Sequence, residues 1–231
     1  MKTSRILTLI IGILALAAGL SARDFEGKIR FKTTEKDQPT FMNYFLKEGF
    51  IRVEIEGGPK GTFVGIVNLA KREMIMLMID QKMYMVSKLP EPKKQEQTTA
   101  QAQSEYVRTG ETEMILGYRC EKILIKGKDS TTEHWGTRGL GTFMSVGNRG
   151  QRGSPAVQNA GETILAELGL FPLRTVHLNK AGKETKRTEA ESIEAQSLPD
   201  STFAPPDDFK QFEMPSIPGL SGLNPFGEKQ K

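Results

Sequence analysis

Cysteine and histidine are almost missing from this 231-residue chain, which holds one Cys, two His and one Trp, with aromatic residues at only 7%. A lone Cys120 forms no internal disulfide, so the fold is not a stapled mini-protein, and an unpaired cysteine behaves by default as a small buried hydrophobe. With only His134 and His177 there is no His-Glu-x-x-His, and neither Gly-x-Ser-x-Gly nor a metal-spaced cysteine pair occurs. Zinc hydrolysis and serine-triad chemistry therefore lack their parts: no catalytic or metal-ligating residue is assigned and no cofactor is implied. Gly139-Leu140-Gly141 lacks the third glycine and the strand-then-helix setting of a dinucleotide loop. An excess of one charge is also lacking, since 32 Lys plus Arg face 28 Asp plus Glu for a formal +4. That is too near neutral for a dedicated nucleic-acid binder, and the basic residues around Arg138, Arg149 and Arg152 carry no interleaved aromatics.

Long apolar runs are absent as well. Lys2 and Arg5 precede an uncharged stretch over 6–20, followed by the small residues Ser21-Ala22 and the charged Arg23-Asp24. Its length of about 15 residues falls short of the roughly 20 that span a bilayer and fits a secretory signal peptide over 1–22, with cleavage after Ala22. Cleavage would remove Lys2 and Arg5 and lower the formal charge from +4 to +2. No cysteine adjoins that junction to accept a lipid. The expectation is a periplasmic or secreted protein, soluble, not lipidated and not integral to the membrane.

What the chain has is alternation. Over 24–34, Phe25, Ile29 and Phe31 share one face with Gly27, while Glu26, Lys28, Arg30 and Lys32 take the other. Residues 41–47 and 50–56 flank Glu48-Gly49 as a hairpin, and 62–69, 73–79 and 82–87 complete a meander of about six strands. Further strands are expected over 118–126 and 131–135. A last hairpin, 173–179 with 184–194, has a second strand so polar that it is expected at a sheet edge or facing water. One helix is expected from Asn159 to Gly169, capped by Asn159 with Glu162 and apolar at Ile164, Leu165 and Leu168. Leu140, Phe143 and Met144 also have helical spacing. The fold class is thus mainly β: a curved antiparallel sheet or incomplete β-barrel with one or two short helices packed on it. Residues 23–212 form a single domain, with flexible loops near 88–104 and 145–158 and a disordered Pro/Gly-rich tail over 213–231.

Methionine supplies the one local feature with possible chemistry. If Asp80-Gln81 is a two-residue turn, Met78 faces Met83 and Met76 faces Met85, with Met74 next on the same side, so half of the ten methionines form one patch. The opposite side carries Ile75, Leu77, Ile79, Tyr84 and Val86, and a strand pair that is apolar on both faces requires a cover on each. Ordinary core packing, a groove for an acyl chain and a Cu(I) site all use such a patch. Alternate residues on a packed strand converge poorly on one metal ion. For a ligand groove the candidate residues are Met74, Met76, Met78, Met83 and Met85, with Leu165 and Leu168 from the helix. His134 and His177 fall in strands and read as structural; Glu111 with Glu113, and Glu189 with Glu191, read as solvated strand faces.

Several stretches carry a family resemblance. The opening Asp24-Phe25-Glu26-Gly27, the hairpin ending Arg52-Val53-Glu54, Lys82-Met83-Tyr84-Met85, Leu116-Gly117-Tyr118-Arg119-Cys120-Glu121-Lys122 and Thr132-Glu133-His134-Trp135 resemble an exported bacterial family, the domain of unknown function 4412 family. The resemblance covers about residues 24–212 in order, and the Gly-Tyr-x-Cys-Glu-Lys segment is its most specific part. It implies export but transfers no activity and no catalytic residue. More loosely, the plan of a curved sheet closing on residues 198–206 is similar to periplasmic lipoprotein carriers, whose incomplete barrel wraps an apolar cavity; fold alone does not fix function. The resulting expectation is an exported envelope protein that does not catalyse. It would bind a lipid or other apolar or amphiphilic ligand, as carrier or sensor, between the sheet and the helix. The alternative is a structural or interaction protein of the envelope with a filled barrel, its loops and tail meeting a protein partner. Cu(I) binding through the methionines stands third.

Overall fold

The computed structural model describes residues 25–58, 61–89, 105–144 and 160–212. The expected leader, nearly all of both expected loops and the tail from 213 lie outside the described residues.

Alternating burial builds the first half of the sheet. Strands β1 (Gly27–Glu35), β2 (Gln38–Lys47), β3 (Phe50–Gly58), β4 (Gly61–Asn68), β5 (Glu73–Met78) and β6 (Met83–Lys88) form an antiparallel meander. In β1, Ile29 and Phe31 are buried while Lys28 and Arg30 are only half covered. The β2–β3 turn closes on the Lys47↔Phe50 pair, with Gly49 at φ 75, a left-handed conformation that glycine adopts without strain. Met78↔Met83 and Met76↔Met85 pair as expected, but the turn between them is wider. Residues Ile79–Gln81 make a short 3-10 turn and Lys82 takes φ 48, so four residues rather than two reverse the chain. Lys88, assigned from the sequence to a loop, ends β6.

A second meander, β7 (Glu105–Ile115), β8 (Tyr118–Lys126), β9 (Ser130–Thr137), β10 (Phe171–Asn179) and β11 (Glu184–Ala195), joins the first through β11 beside β1. The two-residue β12 (Lys210–Gln211) lies parallel to β6. The result is one open sheet in the order β12-β6-β5-β4-β3-β2-β1-β11-β10-β9-β8-β7, not a closed barrel. Two expectations need correction here. The polar strand β11 is interior, not an edge, while the other half of that expectation holds, since Glu184, Thr185, Glu191 and Glu194 are exposed to water; across the sheet Glu189 is matched to Arg174, Glu191 to Arg30 and Thr188 to Thr33. Leu140, Phe143 and Met144 are not helical, because Gly139 and Gly141 hold φ 86 and 83.

Curvature is visible in one ion pair. Arg174 on β10 makes two hydrogen bonds, at 2.7 and 3.0 Å, to Glu113 on β7. Three strand spacings separate these strands, about 14 Å on a flat sheet, and side chains leave a sheet roughly at right angles. They meet because the sheet curls. The same curl gathers Ile29, Tyr44, Ile51 and Met76 with Cys120, Leu140 and Phe171 into one apolar cluster on the inner face. On the outer face, Val64, Ile66 and Leu77 are covered by Leu198 and Phe203 from the segment that follows β11. Helix α1 (Ala160–Glu167) stops at Gly169, at φ 64.

Candidate functional site

The register of β2 to β6 sorts the inner face into three cross-strand rows. Leu46, Ile51, Val67 and Met74 form the first, and all four are buried. Tyr44, Val53, Gly65, Met76 and Met85 form the second, buried except for a half-buried Met85. Met42, Ile55 and Phe63, continued by the Met78↔Met83 pair, form the third, and every one of the five is only half-buried. Cover therefore thins steadily toward one rim.

The cover over the first two rows is a strap, residues 138–144, that leaves β9 and crosses the face. Leu140 is fully buried. The Phe143 ring stacks on Tyr44 at 5.9 Å between centroids and meets Phe171 edge-on at 5.4 Å. The Tyr44 hydroxyl donates to the Met144 carbonyl at 3.0 Å and accepts from the Met144 N–H at 2.9 Å. Burial pushes the Tyr44 pKa well above its ordinary value, so this group stays a neutral phenol able to bond both ways. Beside the strap lies a pocket of about 140 Å³ bounded by Phe25, Leu46, Gly49, Ile51, Leu69 and Gly141. That is under half of the roughly 300 Å³ at which small-molecule sites begin.

The seven candidate ligand residues fall into separate places. Met74, Met76 and Met85 belong to the inner-face cluster, and Met78 and Met83 stand on the thinly covered rim. Leu165 and Leu168 do not join them: they pack with Ile123, Ile125 and Leu170. That cluster holds none of the five methionines, although Glu162 of the same helix is near enough to Tyr44 to help raise its pKa. The residues that organise the face instead are Tyr44, Phe143 and Phe171, of which the sequence singles out only Phe143, on a helical spacing that the structure does not keep. Their contacts link β2, the strap and β10, which are far apart in sequence.

The histidines are structural pins. His134 Nδ1 lies 3.0 Å from Thr175 Oγ1, and His177 Nδ1 3.2 Å from Thr132 Oγ1. Burial, with His177 nearby, lowers the His134 pKa to about 4, and burial followed by Lys186 lowers that of His177. Burial also pushes the Cys120 thiol up to about 11, the reverse of an activated nucleophile. Among the described residues no group of three or more His, Cys, Asp or Glu is placed to hold a metal ion. Nor is any described helix long and apolar enough to cross a membrane. Glu113 and Glu189, expected as solvated carboxylates, flank Arg174 as ion pairs.

Residues 25–209 match a family described as Domain of unknown function (DUF4412). No curated protein matches the sequence. Among solved structures the chain is similar to an uncharacterized conserved protein from Thermus thermophilus, at 9% identity over 82% of this chain and 93% of that one, with a TM-score of 0.48. It is also similar to a chain of the Pseudomonas aeruginosa MucA/MucB complex, at 8% identity over 81% of this chain and 58% of that one, with a TM-score of 0.46. A putative outer membrane lipoprotein-sorting protein domain from Vibrio parahaemolyticus is 6% identical over 80% and 90% of the two chains, with a TM-score of 0.28.

Proposed function

The chain belongs to the DUF4412 family, and we propose that this member is an exported envelope protein that binds the acyl chain of an amphiphile along the thinly covered rim of its inner face. The observation that carries this reading is the third row: Met42, Ile55, Phe63, Met78 and Met83 lie side by side across the sheet, all apolar and all half-buried. Contiguous apolar surface left partly open on a soluble fold marks interaction sites, and unbranched thioethers adapt to a flexible chain. The leader-like N-terminus supports an envelope setting. Palmitate titrated into detergent-free protein is the test. Met78→Glu with Met83→Glu places two carboxylates in the row and is expected to weaken palmitate binding at least tenfold, and affinity equal to that of the unsubstituted chain refutes the reading.

One observation favours a second reading. Leu140 and Phe143 already fill the face above the first two rows, as in an interaction protein whose sheet is packed by its own side chains. Its partner would then meet the loops and the tail. Pull-downs with and without residues 213–231 test it, and an unchanged set of partners counts against it.

A further inference from the structure

The strap over the inner face is held by polar bonds only near its ends, by Arg138 to Glu121 at 3.3 Å and by Met144 to Tyr44, and between them by apolar packing. Among the described residues, 139–143 form no hydrogen bond to a strand, and the polar tether is the two-way bond between the Tyr44 hydroxyl and the Met144 backbone. Gly139 and Gly141 both hold left-handed φ values, and a Cβ at either would meet nothing within 4 Å. Glycine is therefore needed there for backbone rotation and not for room. Between these two pivots Leu140 is driven fully into the core, and Phe143 follows onto Tyr44 and Phe171. The pocket of about 140 Å³ already opens along Gly141 and Thr142.

We propose that the strap 139–144 is a displaceable plug, and that the acyl chain of the ligand takes the places of Leu140 and Phe143. This rests on the acyl-chain reading above and extends it inward from the rim. Exchanging the plug's side chains for ligand methylenes keeps the same apolar surface of Tyr44, Leu46, Ile51 and Phe171 covered, so burial is nearly balanced between the two states. What holds the plug shut is then the tether and the ring stacking. The apparent affinity of the ligand scales with the fraction of molecules whose plug is open.

Calorimetric titration of the full chain with palmitate tests this with two variants. Tyr44→Phe keeps the aromatic packing and removes both bonds to Met144, and is expected to bind palmitate at least fivefold more tightly than the unsubstituted chain. Phe143→Ala vacates the seat and is expected to bind at least tenfold more tightly; if it fails to fold, Tyr44→Phe decides alone. Binding by the unsubstituted chain that the folded variants leave unchanged or weaken overturns the plug and leaves the ligand reading standing. Binding by none of the three overturns both.

Discussion

Acid should loosen this fold through one imidazole. His134 is 8% exposed and sits in a cross-strand row with Ile123, Thr175, Thr188 and Thr33, where Thr175 Oγ1 is its near neighbour and His177 repels a second positive charge. Its pKa falls from 6.5 to about 4 in the folded chain. Below pH 6.5 the unfolded chain takes up a proton that the folded chain refuses until near pH 4. The contribution is therefore complete above pH 6.5 and is lost progressively as pH falls from 6.5 to 4. Two and a half units at about 1.36 kcal/mol each give a total of about 3 kcal/mol, most of it gone by pH 4.5. Urea unfolding at pH 7, 6, 5 and 4.5, followed by Trp135 fluorescence, measures it. His134→Gln keeps a side chain able to bond Thr175 but cannot titrate, so its stability should fall about 2–3 kcal/mol less across that range. Parallel curves for the two proteins would refute the reasoning, since His177 and the carboxylates are common to both.

Three further outcomes follow from the packing. Gly27→Ala would drive a Cβ into the Glu194 carbonyl and the Phe25 ring, and should lower stability by about 1–3 kcal/mol in thermal or urea unfolding. Arg174→Lys loses the forked contact with Glu113 and the bond to Glu189, costing about 1–2 kcal/mol in the same assay, with less effect at high salt. Cys120, buried and pushed up to about 11, should react with a thiol reagent at pH 8 at least about 100-fold more slowly than a free thiol, and at full speed in urea.

Where side chains alternate and the turn is short, the sequence was a good guide. The pairings of Met76 with Met85 and Met78 with Met83 survive a turn of a different shape, because the wider loop is centred on the same residues, Asp80 and Gln81. β7 escaped the strand count because a bulge between Arg108 and Thr112, with Gly110 at φ 80, breaks its period. β11 looked like an edge because its partners in charge, Arg174 and Arg30, lie on other strands and are invisible to a local window. The helix was placed well along the chain, but Leu165 and Leu168 pack with Ile123, Ile125 and Leu170 and not with the methionines, since apolar spacing says that they are covered and not by what. Tyr44 and Phe143 show the same limit at the candidate site: one falls in an expected strand and the other on a helical spacing, and only the tertiary fold stacks one on the other.

The pairing of β1 with β11 sets the order in which such a molecule can assemble. Each meander is built from neighbouring hairpins, whereas the bond between Thr33 and Thr188 spans 155 residues. Long loops close slowly, so the two half-sheets should form first and zip together last. Until they do, each half presents a bare strand edge, a template for association with another chain. Made from its N-terminus, the polypeptide must keep β1 waiting in that state until Ala195 has arrived.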